Sequence, residues 1–207
     1  LLWFGWFGFN AGSALGANGL AVHALITTNT SAATAMLSWM LVEKLLHGRA
    51  TLLGAATGVV VGLVAITPGA GFVPVWASIV IGVLVSPICY FGMGYLKSKF
   101  GYDDALDAFG CHGIGGIWGG IATGLLAQKS INSAASWDGL IYGDYHLFLA
   151  QIISIAVTIL IATIGTMIIL KVISLIMVLR VSQEDEAKGL DISEHSESGY
   201  PAFQGMD

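Results

Sequence analysis

The chain has 207 residues, 56% of them hydrophobic and only 10% charged, with 8 Lys and Arg against 13 Asp and Glu for a net charge of −5. A soluble domain carries about 25% charged residues, so one or two water-facing domains are excluded: there are too few charges to coat them. The excess acid comes largely from Glu184, Asp185, Glu186, Asp191, Glu194, Glu197 and Asp207, beyond the last apolar stretch, which also argues against nucleic acid as a partner.

Six apolar segments follow one another at residues 1–17, 21–46, 51–67, 75–96, 107–128 and 146–179. Each approaches the ~20 residues a spanning helix requires, so the expected class is an all-α, polytopic membrane protein, with a transmembrane domain over 1–180 and a tail over 181–207. The first segment opens abruptly on LLWFGWFGF with no basic region or cleavage site before it. It therefore reads as a helix of a longer polypeptide and not as a signal peptide. The last segment would extend about 50 Å as one helix, against ~30 Å of hydrocarbon, and should tilt or bend.

Lys44 and Arg49 flank the second connection, Lys97 and Lys99 the fourth, and Lys171, Arg180 and Lys188 the last helix and tail, leaving Lys129 alone on the other side. By the positive-inside rule the tail and the loops near Arg49 and Lys97 are cytoplasmic. The first helix then runs outward, carrying Phe9 and Ser13 towards the external face. These two lie four apart on one helical face and combine a π surface with a hydroxyl, a pairing suited to a small ammonium-like cation. The alternative for any one ring of this stretch is belt or core packing.

Glycines recur every fourth residue at Gly54, Gly58 and Gly62 and again at Gly116, Gly120 and Gly124, faces on which helix backbones can approach closely. His112 lies in DAFGCHGIGGIWGGIATGLLA (107–127). An ionisable ring there is expected to be buried in protein, either as a hydrogen-bonded core histidine or as part of a substrate or proton path. Asp107 sits at the expected N-cap of that helix. On a regular helix it would lie about 140° from His112, a poor acid–base pair for an enzyme. His23, His47 and His146 fall near expected helix ends and read as interfacial. Cys89 and Cys111 fall in apolar segments, and neither a disulfide framework nor a metal site is supported.

WFGFNAGSA (6–14), TNTSAA (28–33), GLVAITPGAGFV (62–73), DAFGCHGIGGIWG (107–119) and EDEAKGLDISEHSESGY (184–200) together resemble the ammonium transporter (Amt/Rh) family, the last stretch resembling its Amt branch. The resemblance spans essentially the whole chain and corresponds to the second half of such a protein. It implies half of an eleven-helix, inverted-repeat protomer in a homotrimer in the cell membrane, with no cofactor. It further implies that Phe9 belongs to an external phenyl gate, that Ser13 recruits ammonium above it and Trp6 lines the pore below, and that His112 is one of a pair of pore histidines whose partner lies in the first half. Gly189, Leu190, Asp191, His195 and Glu197 match an ordered cytoplasmic tail, with a PII-type signalling protein as a possible partner by family analogy. Ser196 departs from the family's glycine, which puts the turn there in doubt if that glycine needs a positive φ. The alternative function is an ammonium sensor on the same scaffold.

Overall fold

The computed structural model describes residues 1–199 and, among them, contains helices and turns but no strand. By internal contact the chain divides into two units, Leu1–Val157 and Thr158–Asp207. The expected all-helical class is observed, and two helices, Val75–Phe100 and His146–Ile173, are long and apolar enough to cross a membrane.

The first unit is built around α2 (Gly19–His47), which packs against α1 (Leu2–Gly12), α3 (Leu52–Ile66) and α4 (Val75–Phe100). Local chemistry sets these boundaries. Asn18 opens α2 by accepting the Ala21 N–H at 3.0 Å, and left-handed Gly48 (φ 78°) closes it, a position favouring the residue without a Cβ. Thr51 caps α3 by accepting the Gly54 N–H at 2.9 Å, and the Glu43 carboxylate of α2 accepts the Thr51 N–H at 2.8 Å. Lys97 and Lys99 occupy the last turn of α4, where cations oppose the helix dipole.

α2 is cemented to its neighbours by small hydroxyls. Ser31 donates to Gly62 O at 2.9 Å in α3, while Ala35 O and Ser38 exchange bonds of 2.7 Å with Ser86 and Val83 O of α4. Such interhelical bonds average about 0.6 kcal/mol where measured in a membrane bundle. The glycine face of α3 explains the close approach: a Cβ on Gly62 would stand 2.6 Å from Ala35 Cβ and 2.7 Å from Ser31 O. Gly58 likewise faces the Trp39 and Met36 backbone region.

The second glycine series divides its work differently from the expected single face. Gly120 and Gly124 lie against Ile155, Gln151 and Phe148 of α6 (His146–Ile173), whereas Gly116 has nothing within 4 Å. Gly119, outside that series, is the residue that meets the α3 backbone, at Ala65.

Three expected boundaries shift. α1 stops at Gly12 and not near residue 17, and Leu15 takes a left-handed φ of 54°. α6 ends at Ile173, before the expected 179, so its length is about 42 Å, still beyond ~30 Å of hydrocarbon. Its end is drawn into tighter turns by Leu175 N–H to Val172 O at 3.2 Å and Ile176 N–H to Ile173 O at 2.9 Å. The 107–128 segment is also not one regular helix: a π-helical stretch, Phe109–Ile114, precedes α5 (Gly115–Leu126).

Candidate functional site

His112 sits inside that π segment. Bulges of this kind insert an extra residue per turn and are frequent at functional sites. The segment packs on α3, α4 and α5, with Gly110 against the Met93 side chain, and a Cβ on Gly115 would stand 3.6 Å from Cys89 Sγ and 3.4 Å from Val64 Cγ1. Cys89 lies close to the midpoint of α4 (Val75–Phe100), so Gly115, three residues beyond His112, lies against the middle of that helix.

The expectation that His112 is buried does not hold within this chain: the residue is exposed, because the π register directs the buried side of the segment through Gly110 and Cys111. A core histidine would have a partner. His112 has no side-chain hydrogen bond among the described residues.

The entry to the π segment corrects a second expectation. Asp104, and not Asp107, caps it, accepting the Ala108 N–H at 2.8 Å and the Phe109 N–H at 3.0 Å. Asp107 is left-handed (φ 52°), and its carboxylate instead accepts from Lys97 Nζ at 2.7 Å, while the same Nζ donates to Asp104 O at 2.8 Å. With Asp107 outside the helix and engaged by Lys97, the angle expected between it and His112 on a regular helix does not apply. Asp104→Ala should destabilise the segment by about 0.5 to 2 kcal/mol, seen as faster hydrogen exchange at Ala108 to Cys111, whereas Asp107→Asn should leave those amides nearly unchanged.

Phe9, Ser13 and Trp6 are brought together at the other end of the bundle. α1 carries Phe9 and Ser13 to a cleft of about 190 Å³ walled by the start of α2, the Thr67–Phe72 connection and Asn132. Phe9, which lines that cleft, is 63% exposed. Trp6 donates from Nε1 to Thr67 Oγ1 at 2.8 Å and meets the Phe9 ring edge-on at 5.9 Å. Ser13 donates to Phe9 O at 2.7 Å, which leaves its oxygen lone pairs free to accept. Asn10, which the sequence reading passed over, also lines the cleft and donates to Thr28 Oγ1 at 2.9 Å. Its signal was available: a polar residue between Phe9 and Ser13 on a helix that is otherwise apolar. His112 is not among the residues lining this cleft.

The remaining histidines sit near helix ends, as expected. His23 Nε2 donates to Val73 O at 2.8 Å, and His47 pairs with the Tyr90 hydroxyl at 2.6 Å. His146 binds Asp144 through Nδ1 at 2.7 Å and stacks between Trp137 and Tyr145. The backbone N–H of His146, followed by its ring, holds the Asp144 carboxyl below its ordinary range.

In the second unit, α7 (Gln183–Lys188) and α8 (Leu190–Ser193) are joined at left-handed Gly189 (φ 95°). Asp191 accepts the Gly199 N–H at 2.8 Å, which lowers its carboxyl pKa, and its backbone carbonyl accepts the Glu197 N–H at 2.9 Å. Gly189, Leu190, Asp191, His195 and Glu197 thus lie in one local structure; the last residue of the matching sequence stretch, Tyr200, and those after it lie outside the described residues. Ser196, at φ 54°, occupies the conformation that glycine adopts freely. A left-handed non-glycine residue costs roughly 1 to 2 kcal/mol. Ser196→Gly should therefore stabilise this turn by about 1 kcal/mol, read as slower hydrogen exchange at Ser196 and Glu197.

The chain matches the family model for the Ammonium Transporter Family over residues 1–200. It is 54% identical over 200 residues to an ammonium transporter of Bacillus subtilis, covering 97% of this chain and 49% of that protein. It is 46% identical to the ammonium transporter Amt1 of Archaeoglobus fulgidus, covering 97% of this chain and 50% of that protein. Among solved structures it resembles Saccharomyces cerevisiae Mep2, with a TM-score of 0.81 at 36% identity over 88% of this chain and 42% of the other. A sensor Amt protein matches with a TM-score of 0.82 at 28% identity over 93% of this chain and 46% of the other. The chain thus spans about half the length of the curated relatives it matches, and over nearly all of its own length it belongs to the Ammonium Transporter Family.

Proposed function

We propose that this chain supplies one half of a transmembrane ammonium transporter, with the conduction path between it and the family's other half. The observation that carries this reading is the family match along residues 1–200. The Phe9 and Ser13 cleft is the entry, where a cation gains roughly 0.5 to 2 kcal/mol from a ring face and donates N–H bonds to the serine oxygen. Burying a unit charge beyond that point costs at least several kcal/mol without partners. Ammonium therefore gives up a proton at the vestibule, and neutral ammonia passes Trp6 and continues inward. His112, exposed and without a side-chain hydrogen bond among the described residues, offers its ring nitrogens to the passing molecule. With a second histidine from the other half it relays the proton, making uptake electrogenic.

The reading extends to a homotrimer in the cell membrane with the α7–α8 tail in the cytoplasm, where Gly189, Leu190, Asp191, His195 and Glu197 form a regulatory element accessible to a PII-type signalling protein. No enzymatic step is involved. Electrophysiology on solid-supported membranes carrying the complete protein tests the central claim: a sustained current that saturates with ammonium concentration is expected. The likeness to a sensor Amt protein favours a second reading, in which ammonium binding at the cleft changes the tail without flux. Ammonium-dependent protection of the tail with no sustained current would select it.

A further inference from the structure

The hydrogen bonds around the entry cleft leave a pattern of free lone pairs. Thr28 has one hydroxyl proton, and Ala24 O takes it at 2.6 Å. The Thr28 oxygen can therefore only accept from Asn10, which fixes the Asn10 amide with its NH₂ towards Thr28, at 2.9 Å, and its carbonyl oxygen turned away. Asn10 is only 8% exposed yet lines the cleft, so the group it offers there is Oδ1. Ser13, three residues on, has spent its own proton on Phe9 O at 2.7 Å. Thr67 has likewise spent its proton on Leu63 O at 2.8 Å and accepts from Trp6. Asn10, near the end of α1, and Ser13, its C-cap residue, thus bring two acceptor oxygens to the cleft that Phe9 also lines.

Across the cleft, the Asn132 Oδ1 already accepts the Ala134 N–H at 3.0 Å, which leaves it one lone pair beside its N–H groups. No residue lining the cleft carries a formal charge that would take a cation in place of the α1 oxygens.

We propose that Asn10 is a further ligand and specificity residue of the entry site: its carbonyl oxygen accepts one N–H of the incoming cation while Ser13 accepts another, with Thr28 as the positioning residue that keeps the amide in the accepting orientation. The site then selects cations with at least two N–H donors. Ammonium and methylammonium satisfy both oxygens, whereas tetramethylammonium satisfies neither and leaves two acceptors desolvated. This inference rests on the entry reading given above.

The test uses the complete transporter, with two readouts: the half-saturating ammonium concentration for current, and binding measured by the thermal shift on adding ammonium, methylammonium or tetramethylammonium chloride. A hydrogen bond to a charged group contributes about 1.5 to 3 kcal/mol. Asn10→Ala should therefore raise the half-saturating concentration at least tenfold while the maximal current falls much less. Thr28→Val should shift it in the same direction, and Thr28→Ser, which keeps the hydroxyl, should restore it. The paired change Asn10→Leu with Thr28→Val removes donor and acceptor together, so a loss of affinity in that folded variant reports the ligand and not a broken core. Folded variants with unchanged half-saturation and unchanged binding shifts would overturn the proposal, as would a parent protein shifted equally by ammonium and tetramethylammonium. A parent without current that still shows the ammonium-selective, Asn10-dependent shift would overturn the transport reading while upholding this one.

Discussion

His112→Ala in the complete transporter is expected to lower the saturating ammonium current by about 10²-fold or more, the scale of a positioned proton-transfer group. The structure supplies the reason for expecting a loss of function and not of folding. The ring is exposed in this chain and holds no side-chain hydrogen bond among the described residues, so truncation empties no cavity of this half and strands no partner. The backbone at His112 is meanwhile secured by its own bond, its carbonyl accepting the Gly115 N–H, and by the packing of Gly110 and Cys111. The measurement is current on solid-supported membranes at matched protein density, with size-exclusion profiles as the folding readout. Full current in the alanine variant would remove His112 from the relay. Low current that tracks a proportionate loss of assembled protein would mean a structural role.

The second large effect is expected at Gly119. A Cβ there would collide with Ala65 O and stand 3.0 Å from Ala65 C and 3.1 Å from its Cα. These are backbone atoms in the buried last turns of α3 and cannot rotate aside as a side chain can. Gly119→Ala must therefore push α5 from α3, at a cost of about 1 to 3 kcal/mol typical of an overpacked core, and it displaces the π segment that α5 continues. Gly115→Ala is the internal control. Its Cβ would meet Val64 Cγ1 at 3.4 Å and Cys89 Sγ at 3.6 Å, ordinary contact, and alanine gains about 1 kcal/mol of helix propensity over glycine. Thermal unfolding in detergent should show Gly119→Ala well below the parent and Gly115→Ala at or above it. Equal melting temperatures for all three would show that the α3–α5 approach is looser than these distances require.

Much of this was legible from composition and pattern. The scarcity of charge and the run of apolar segments led to an all-helical protein because backbone polar groups in lipid must be satisfied within each segment. The glycine series at Gly54, Gly58 and Gly62 marked a true close approach, since small residues four apart necessarily share a helix face. Phe9 and Ser13 were found by the same periodicity, and the cleft beside them confirms that they face one space. Ser196 was also visible as an exchange for glycine that matters only if the position is left-handed, and its φ of 54° meets that condition.

The elements that escaped the sequence depend on tertiary partners. Nothing in DAFGCHGIGG announces the π register in which Gly110 lies against Met93 and Gly115 near Cys89 of another helix, or that His112 emerges from it at the surface of this half. Asp104 and Asp107 carry the same carboxylate three residues apart, and sequence could not say which one caps. The Lys97 ammonium, ten residues before Asp107, takes that carboxylate and leaves Asp104 to the helix. Asn10 needed Thr28 and Ala24 from α2 before its amide acquired a direction. Periodicity and composition thus determined which residues are helical and which share a face, because those are properties of one segment in its solvent. Only the packed chain decided orientation, register and proton direction, since each is settled by competition among groups that the fold brings together from distant positions.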